Sequence, residues 1–552
     1  MTAFVLVPGA FAGGWLWRDV AARLRAAGAD AYAVTPTGLG DRRHLALPDV
    51  GLDTHIRDIV EVIDHVDDPG VVLVAHGCAA YAALGAAARR AGRVARVVYV
   101  DAGTVPQDGD PAALAVPDQP VRERLLAPPG PGSSSASPDD PAWLLPVPDD
   151  WSRWGSTTGL VDAGLARLSR FSAPHPVAAL TQPLRLAEEL TDMPTTGVLC
   201  TANGASIDIL EGVVRLGDPR LARLAHPDTS FFELDTGHWP MLSRPAELAD
   251  VLLRAAAGEG RRLTVSGTGS GGEPAPHLRP FVLDVPDTPR ERLGRVDLYV
   301  PAAEGPRPAV VLVHGGPVPP VAQPTPRDWP AFVGYARLLA ASGLVAATVD
   351  HRLHDLTGYP AAAEDVADAV ALVRADPRVD PDRVALWFFS GGSLLSAEWL
   401  AAPPPWLRCV ALTYPVLAPM PNWGLSGPRF HPADALADAG ALPVVLTRVG
   451  REQALIAATV EAFLDRARAL RANVEVVDVP NGHHGFETRD DTDESRQALR
   501  DAAAAVAAQL GSAAWTWPRR GQAGAATGRP GAPDRSRTRT PRPGPGRAAP
   551  AW

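Results

Sequence analysis

The sequence predicts an α/β protein made of two consecutive units, each a mostly parallel sheet flanked by helices. Three observations predict it. Short β-branched apolar runs alternate with helical stretches, and the alternation runs through twice. Each unit holds an apolar strand that enters a tight small-residue turn and then a helix: VVLVAHGCAAYAA over 71–83 and RVALWFFSGGSLL over 383–395. The chain has 552 residues, more than one hydrophobic core usually supports.

In the first unit, FVLV (4–7) reads as a short buried strand and WRDVAARLRAAG (17–28) as an amphipathic helix ending in Gly28. ADAYAVTP is a second strand, HIRDIVEVIDHV a helix, VVLVA a strand and VARVVYVDA another strand. The stretch 105–194 is rich in Pro, Ser and Trp and breaks the rhythm, as a cap inserted over the sheet edge would. TGVLCTA and SFFELDTGH resume the strand pattern, and PAELADVLLRAAAG closes the unit at 257. Residues 258–280 have the composition of a flexible linker.

The second unit, 281–512, repeats the plan. VDLYVP and PAVVLVHGG are strands, FVGYARLLAASG a helix, LVAATVD a strand and AAAEDVADAVALVRAD a helix. RVALWFFSGGS is a strand into a turn; CVALTYPV, LPVVLTRVG and VEVVDVP are further strands. Residues 513–552 carry eight Arg and one Asp among Pro, Gly and Ala, a composition that cannot build a core and predicts a disordered tail.

The bulk numbers exclude several classes of function. The net charge of -10 argues against nucleic-acid binding. The basic residues are all Arg, with no Lys, which fits a GC-rich coding bias rather than a function. The three cysteines, Cys78, Cys200 and Cys409, form no CxxC pair and no disulfide framework. The chain opens directly on a strand, without the basic and apolar regions of a signal peptide, and no run is long enough to span a bilayer. A cytoplasmic location and no membrane partner are the expectations. No P-loop and no dinucleotide-binding glycine motif is present, so no cofactor is expected. NGHHGF offers two histidines, but adjacent residues point apart and no third ligand is evident, so no metal is expected either.

The second unit carries the stronger chemical signal. Ser390 stands where an apolar strand turns into a helix, followed by Gly391 and Gly392, which allow the close backbone approach such a turn needs. Upstream, VVLVHGGP contains a loop whose Gly315 and Gly316 would offer backbone N–H groups to an oxyanion, with Gly391 offering another. Downstream, Glu452 follows a strand, and His484 lies in VPNGHHGFE, with His483 as its neighbouring competitor. A Ser hydroxyl needs an imidazole to take its proton and a carboxylate to orient that imidazole. Ser390 as a mere helix cap and His484 as a surface loop residue would each be ordinary; the ordered set favours catalysis. With these motifs and VDHRLHD (349–355), residues 279–510 resemble the esterase and dienelactone-hydrolase branch of the α/β-hydrolase family. The resemblance implies Ser390 as nucleophile, His484 as base and Glu452 as its orienting acid. Where that family usually has Gly two residues before the nucleophile, this chain has Phe388.

The first unit resembles the esterase and hydroxynitrile-lyase branch of the same family over nearly all of 1–256. FVLVPGAFAGGWLWRDVAARL, TPTGLGDRRHL, VVYVDAGTVPQDG and ELDTGHWPMLSRPAELADVL carry that resemblance. Its chemistry departs from the pattern. Gly77 takes the nucleophile's place, Pro8 replaces the usual His of the oxyanion loop, and the acid loop reads Cys200-Thr201-Ala202-Asn203-Gly204. His238 remains, and Asp208 is the candidate acid. Cys78, one residue past the turn's tip, is a candidate thiol nucleophile or, as the simpler reading, a buried structural residue. Three readings of this unit stand: a scaffold that binds or steadies, a proton-transfer site built on His238, or a covalent site built on Cys78.

The expectation for the whole chain is a serine hydrolase acting on a small carboxylic ester, lactone or thioester through its second unit, with a non-hydrolytic first unit. The alternatives are a natural-product tailoring enzyme whose first pocket performs a cyclase- or lyase-type step with His238, and a non-catalytic binding scaffold.

Overall fold

A strand buried on both faces has no polar side to present, so continuous apolar runs such as FVLV and VVLV become the inner strands of parallel sheets. The computed structural model describes residues 2–127, 141–186, 193–215, 218–264, 274–302, 304–423, 425 and 428–512. Its first sheet comprises β1 (Ala3–Val7), β2 (Asp30–Ala33), β3 (Val71–His76), β4 (Val94–Val100), β7 (Thr195–Cys200) and β8 (Thr229–Leu234). Their order is β2-β1-β3-β4-β7-β8, and every pairing is parallel. The two-residue strands β5 (Leu144–Leu145) and β6 (His175–Pro176) pair within the 105–194 insertion.

The second sheet has eight strands: β9 (Arg290–Leu293), β10 (Val296–Tyr299), β11 (Arg307–Val313), β12 (Val345–Val349), β13 (Val379–Phe389), β14 (Leu407–Thr413), β15 (Val444–Arg451) and β16 (Val474–His483). Their order is β16-β15-β14-β13-β11-β12-β10-β9. Only β9 and β10 run against their neighbours; without them, the order repeats that of the first sheet. The short hairpin turns at Gly294, whose φ of 59° suits glycine.

Register makes the two sheets comparable residue by residue. His76 pairs with Val100 and Val100 with Val198; Phe389 pairs with Thr413 and Thr413 with Thr447. One residue on, Gly77 stands where Ser390 stands, and Asp101 where Tyr414 stands. Five residues beyond Val198 and Thr447, Asn203 stands where Glu452 stands. Likewise Val7 pairs with Ala75 and Val313 with Phe388, which aligns Gly9 with Gly315 two residues later.

Each sheet is buried between helices in an apolar cluster of its own. In the insertion, Trp151 and Trp154 pack edge-on against Phe11, and Trp151 also meets Trp239, which fastens this cap to the strand ends. The stretch expected to be a flexible linker is docked where it begins. Arg261 bridges to Phe231 of β8, and the Thr264 N–H donates to Glu211 at 3.0 Å. Residues 265–273 and the 513–552 tail lie outside the described residues.

Candidate active site

In a parallel sheet all strands deliver their carboxyl ends to one edge, where loops from several strands can converge. Three such loops meet in the second half. Ser390 follows β13 with a φ of 49°, a left-handed conformation that costs a non-glycine residue roughly 1 kcal/mol or more. This conformation projects the hydroxyl from the tip of the turn. The Ser390 hydroxyl donates to His484 Nε2 at 2.7 Å, and His484 Nδ1–H donates to the Glu452 carboxylate at 2.7 Å. Glu452 is nearly buried, with 4% of its side chain exposed, whereas His484 keeps 29% exposed. His483 points elsewhere and pairs with Asp490 at 2.9 Å.

The turn's steric demand falls after the serine rather than before it. A Cβ at Gly391 would lie 2.4 Å from the Gly316 carbonyl oxygen, and one at Gly392 would lie 2.2 Å from that of His314. A Cβ at Gly315 would lie 2.7 Å from Ser390 Cβ. The 314–316 loop therefore lies directly on the turn. Phe388, the unusual residue two before Ser390, is fully buried in the sheet's apolar core and leaves the turn formed.

Residues not singled out from the sequence hold this loop in place. Tyr359 donates its hydroxyl to the Gly391 carbonyl at 3.0 Å. The His314 and His351 rings stack at 3.7 Å, and His351 Nε2–H donates to the His314 carbonyl at 3.0 Å. Burial pushes His314 down to about 4 and His351 well below its ordinary value, so both rings are neutral props at physiological pH. Tyr414 packs its ring 4.5 Å from His484 and donates to the buried Glu487.

The first half assembles a related constellation from different positions. His238 Nδ1–H donates to Asp101 Oδ2 at 2.6 Å. Asp101 also accepts from Asn203 Nδ2 at 2.6 Å and from the Cys200 N–H at 3.2 Å. The acid thus comes from the end of β4, while the position equivalent to Glu452 holds Asn203, which passes the link on by accepting from the Ser156 N–H of the cap. Asp208, the candidate acid from sequence, is not brought to His238: it is exposed and pairs with Arg261 at 3.2 Å, and Asp101 takes the place beside the imidazole. Gly77 has a φ of 54°, close to that of Ser390, so the turn keeps its shape without its side chain.

Comparison with known proteins supports the fold. Residues 4–251 match the family model described as the alpha/beta hydrolase family, and residues 296–401 match the one described as BD-FAE. The chain has the α/β-hydrolase fold. A carbendazim hydrolyzing esterase from Nocardioides sp. (strain SG-4G) is 43% identical over 117 residues, which are 21% of this chain and 48% of that enzyme. The chain therefore spans about half the length of this relative. Among solved structures, a methylesterase from Arabidopsis aligns with 47% of this chain and 99% of its own, at 18% identity and a TM-score of 0.36. An extracellular alpha/beta-hydrolase from a Paenibacillus species aligns with 46% of this chain and 99% of its own, at 19% identity and a TM-score of 0.36.

Two further features bear on what the chain can do. Burial pushes the Cys78 thiol up to about 11, against the opposing pull of the Ala10 and Cys78 backbone N–H groups, which disfavours the thiolate that a covalent step needs. Among the described residues, no three His, Cys, Asp or Glu side chains converge as metal ligands, and no helix is long and apolar enough to cross a membrane.

Proposed function

We propose that this hydrolase cleaves small carboxylic esters, with lactones and thioesters as chemically equivalent substrates, through Ser390. The observation that carries this reading is the unbroken chain from the Ser390 hydroxyl to His484 to Glu452, with 2.7 Å at each link. His484 takes the Ser390 proton as the hydroxyl attacks the carbonyl carbon, and Glu452 holds the imidazole in the tautomer that leaves Nε2 free to accept. The backbone N–H of Gly391 and the 315–316 segment serve the tetrahedral oxyanion. His484 then returns the proton to the departing alcohol. Water repeats the sequence to release the acid and regenerate Ser390. Acyl-enzyme chemistry is confined to the second half, since the equivalent position in the first half is Gly77.

The test is labelling with a fluorophosphonate, read by peptide mass spectrometry. One adduct is expected, on the peptide holding Ser390, absent from the Ser390→Ala protein and much reduced in His484→Ala. Folded wild-type protein that stays unlabelled at Ser390 overturns the reading.

A further inference from the structure

The first half retains a built general-base site around an empty position. A Cβ placed on Gly77 would lie 3.6 Å from both Cε1 and Nε2 of His238 and meets nothing else within 4 Å. The space a nucleophile's hydroxyl would fill is therefore open, and the imidazole nitrogen that would take its proton faces it. The other side of that imidazole is fully committed: Nδ1–H goes to Asp101, which Asn203 and the Cys200 N–H hold in turn. The cap closes over the ring. The His238 N–H donates to the Ser156 carbonyl at 2.8 Å, and a Cβ on Gly155 would come 2.5 Å from His238 Cβ. A purely packing role does not require a histidine held on one side by a carboxylate while its other nitrogen faces the place of a missing side chain.

We propose that the first half is a second esterase site in which His238 activates a water molecule occupying the space left by the missing hydroxyl. This departs from the expectation that the first half is non-hydrolytic. The water oxygen adds to the carbonyl carbon of an ester as His238 Nε2 takes one of its protons. The oxyanion is served by the backbone N–H of the residue after Gly77, as at other turns of this shape. The carbon–oxygen bond to the leaving group breaks, and His238 returns the proton to the departing alkoxide. One acid and one alcohol leave, and the dyad is restored without a covalent intermediate. Asp101 is a positioning residue that fixes the tautomer and steadies the imidazolium. The neighbouring His76 ring, centred 4.4 Å away, is buried and held well below its ordinary pKa, so it brings no competing positive charge.

The test uses full-length protein carrying Ser390→Ala and His484→Ala, which silences the second site, with p-nitrophenyl acetate as probe. Hydrolysis above the uncatalysed rate is expected, without a burst. Adding His238→Ala should lower it by about 100-fold, the usual worth of a general base. Asp101→Asn should reduce kcat more than it changes KM and shift the pH profile, with partial rescue by Asp101→Glu. Adding Gly77→Ser to the silenced background should create a fluorophosphonate adduct that depends on His238. Equal rates with and without His238, in proteins whose circular dichroism matches, overturn the proposal, as does a folded Gly77→Ser protein that takes no adduct.

Discussion

Asp101 and Tyr414 occupy the same place in their respective sheets, one residue past paired strand ends, and both have positive φ, 49° and 34°. In the first half that place supplies the carboxylate for the histidine. In the second it supplies an aromatic ring beside the histidine, and the carboxylate arrives from the next strand as Glu452.

Glu452 therefore has a specific expected effect. Glu452→Gln keeps the shape but frees the imidazole to adopt the wrong tautomer. It should lower kcat for p-nitrophenyl acetate by about 10^3- to 10^4-fold, by analogy with triad acids. Asp490→Asn, which affects only the partner of His483, should change kcat by less than about 3-fold. Parallel steady-state assays at one pH check both.

Changes on the two sides of Ser390 should damage different properties, activity after it and stability before it. Gly391→Ala drives a methyl against the Gly316 carbonyl and should abolish most activity while destabilising the fold by about 1–3 kcal/mol, the usual cost of overpacking. Phe388→Gly brings back the residue more usual at that position in the family, yet should lower stability by about 3–5 kcal/mol, because it empties a fully buried site. Urea melts together with esterase assays distinguish these outcomes.

Glu487 links stability to pH. Burial raises its pKa above the ordinary 4.5, with the Tyr414 hydroxyl pulling the other way. The folded state then binds a proton more tightly than the unfolded chain. Stability from this group is full below 4.5 and declines as pH rises towards the folded-state value. Glu487→Gln should remove that slope, so its urea midpoint gains on wild type between pH 4 and pH 7.

Cys78 should behave as an inert thiol. With its pKa near 11, alkylation by iodoacetamide should be slow at pH 7 and accelerate through pH 10. Timed mass spectrometry of the Cys78 peptide measures it.

Much of this was readable from the chain. The apolar runs locate the parallel strands, and Ser390, Glu452 and His484 appear in the order that brings them together. Asp101 escaped because chain order directs attention to the loop after β7, where Asn203 stands, whereas contact with His238 depends on which strand ends are neighbours in space. The available signal was an aspartate closing the strand run VARVVYV. Asp208 misled because proximity in sequence to that loop says nothing about direction; it sits in the first turn of the helix Ile207–Val214, on an exposed side. The strand β9 escaped because RERL is polar and lies at the sheet edge, where alternation carries little burial. His314, His351 and Tyr359 act through ring stacking and bonds to backbone carbonyls, relations that no spacing in the sequence encodes.

The placement of Asn203 beside Asp101 has a historical consequence. Because the two positions lie 2.6 Å apart through one hydrogen bond, an ancestor carrying carboxylates at both could have served the same imidazole from either. Losing one would then have been nearly neutral. The acid could pass from one strand to its neighbour without the imidazole losing its partner, so two sheets of one strand order can carry different apparent signatures.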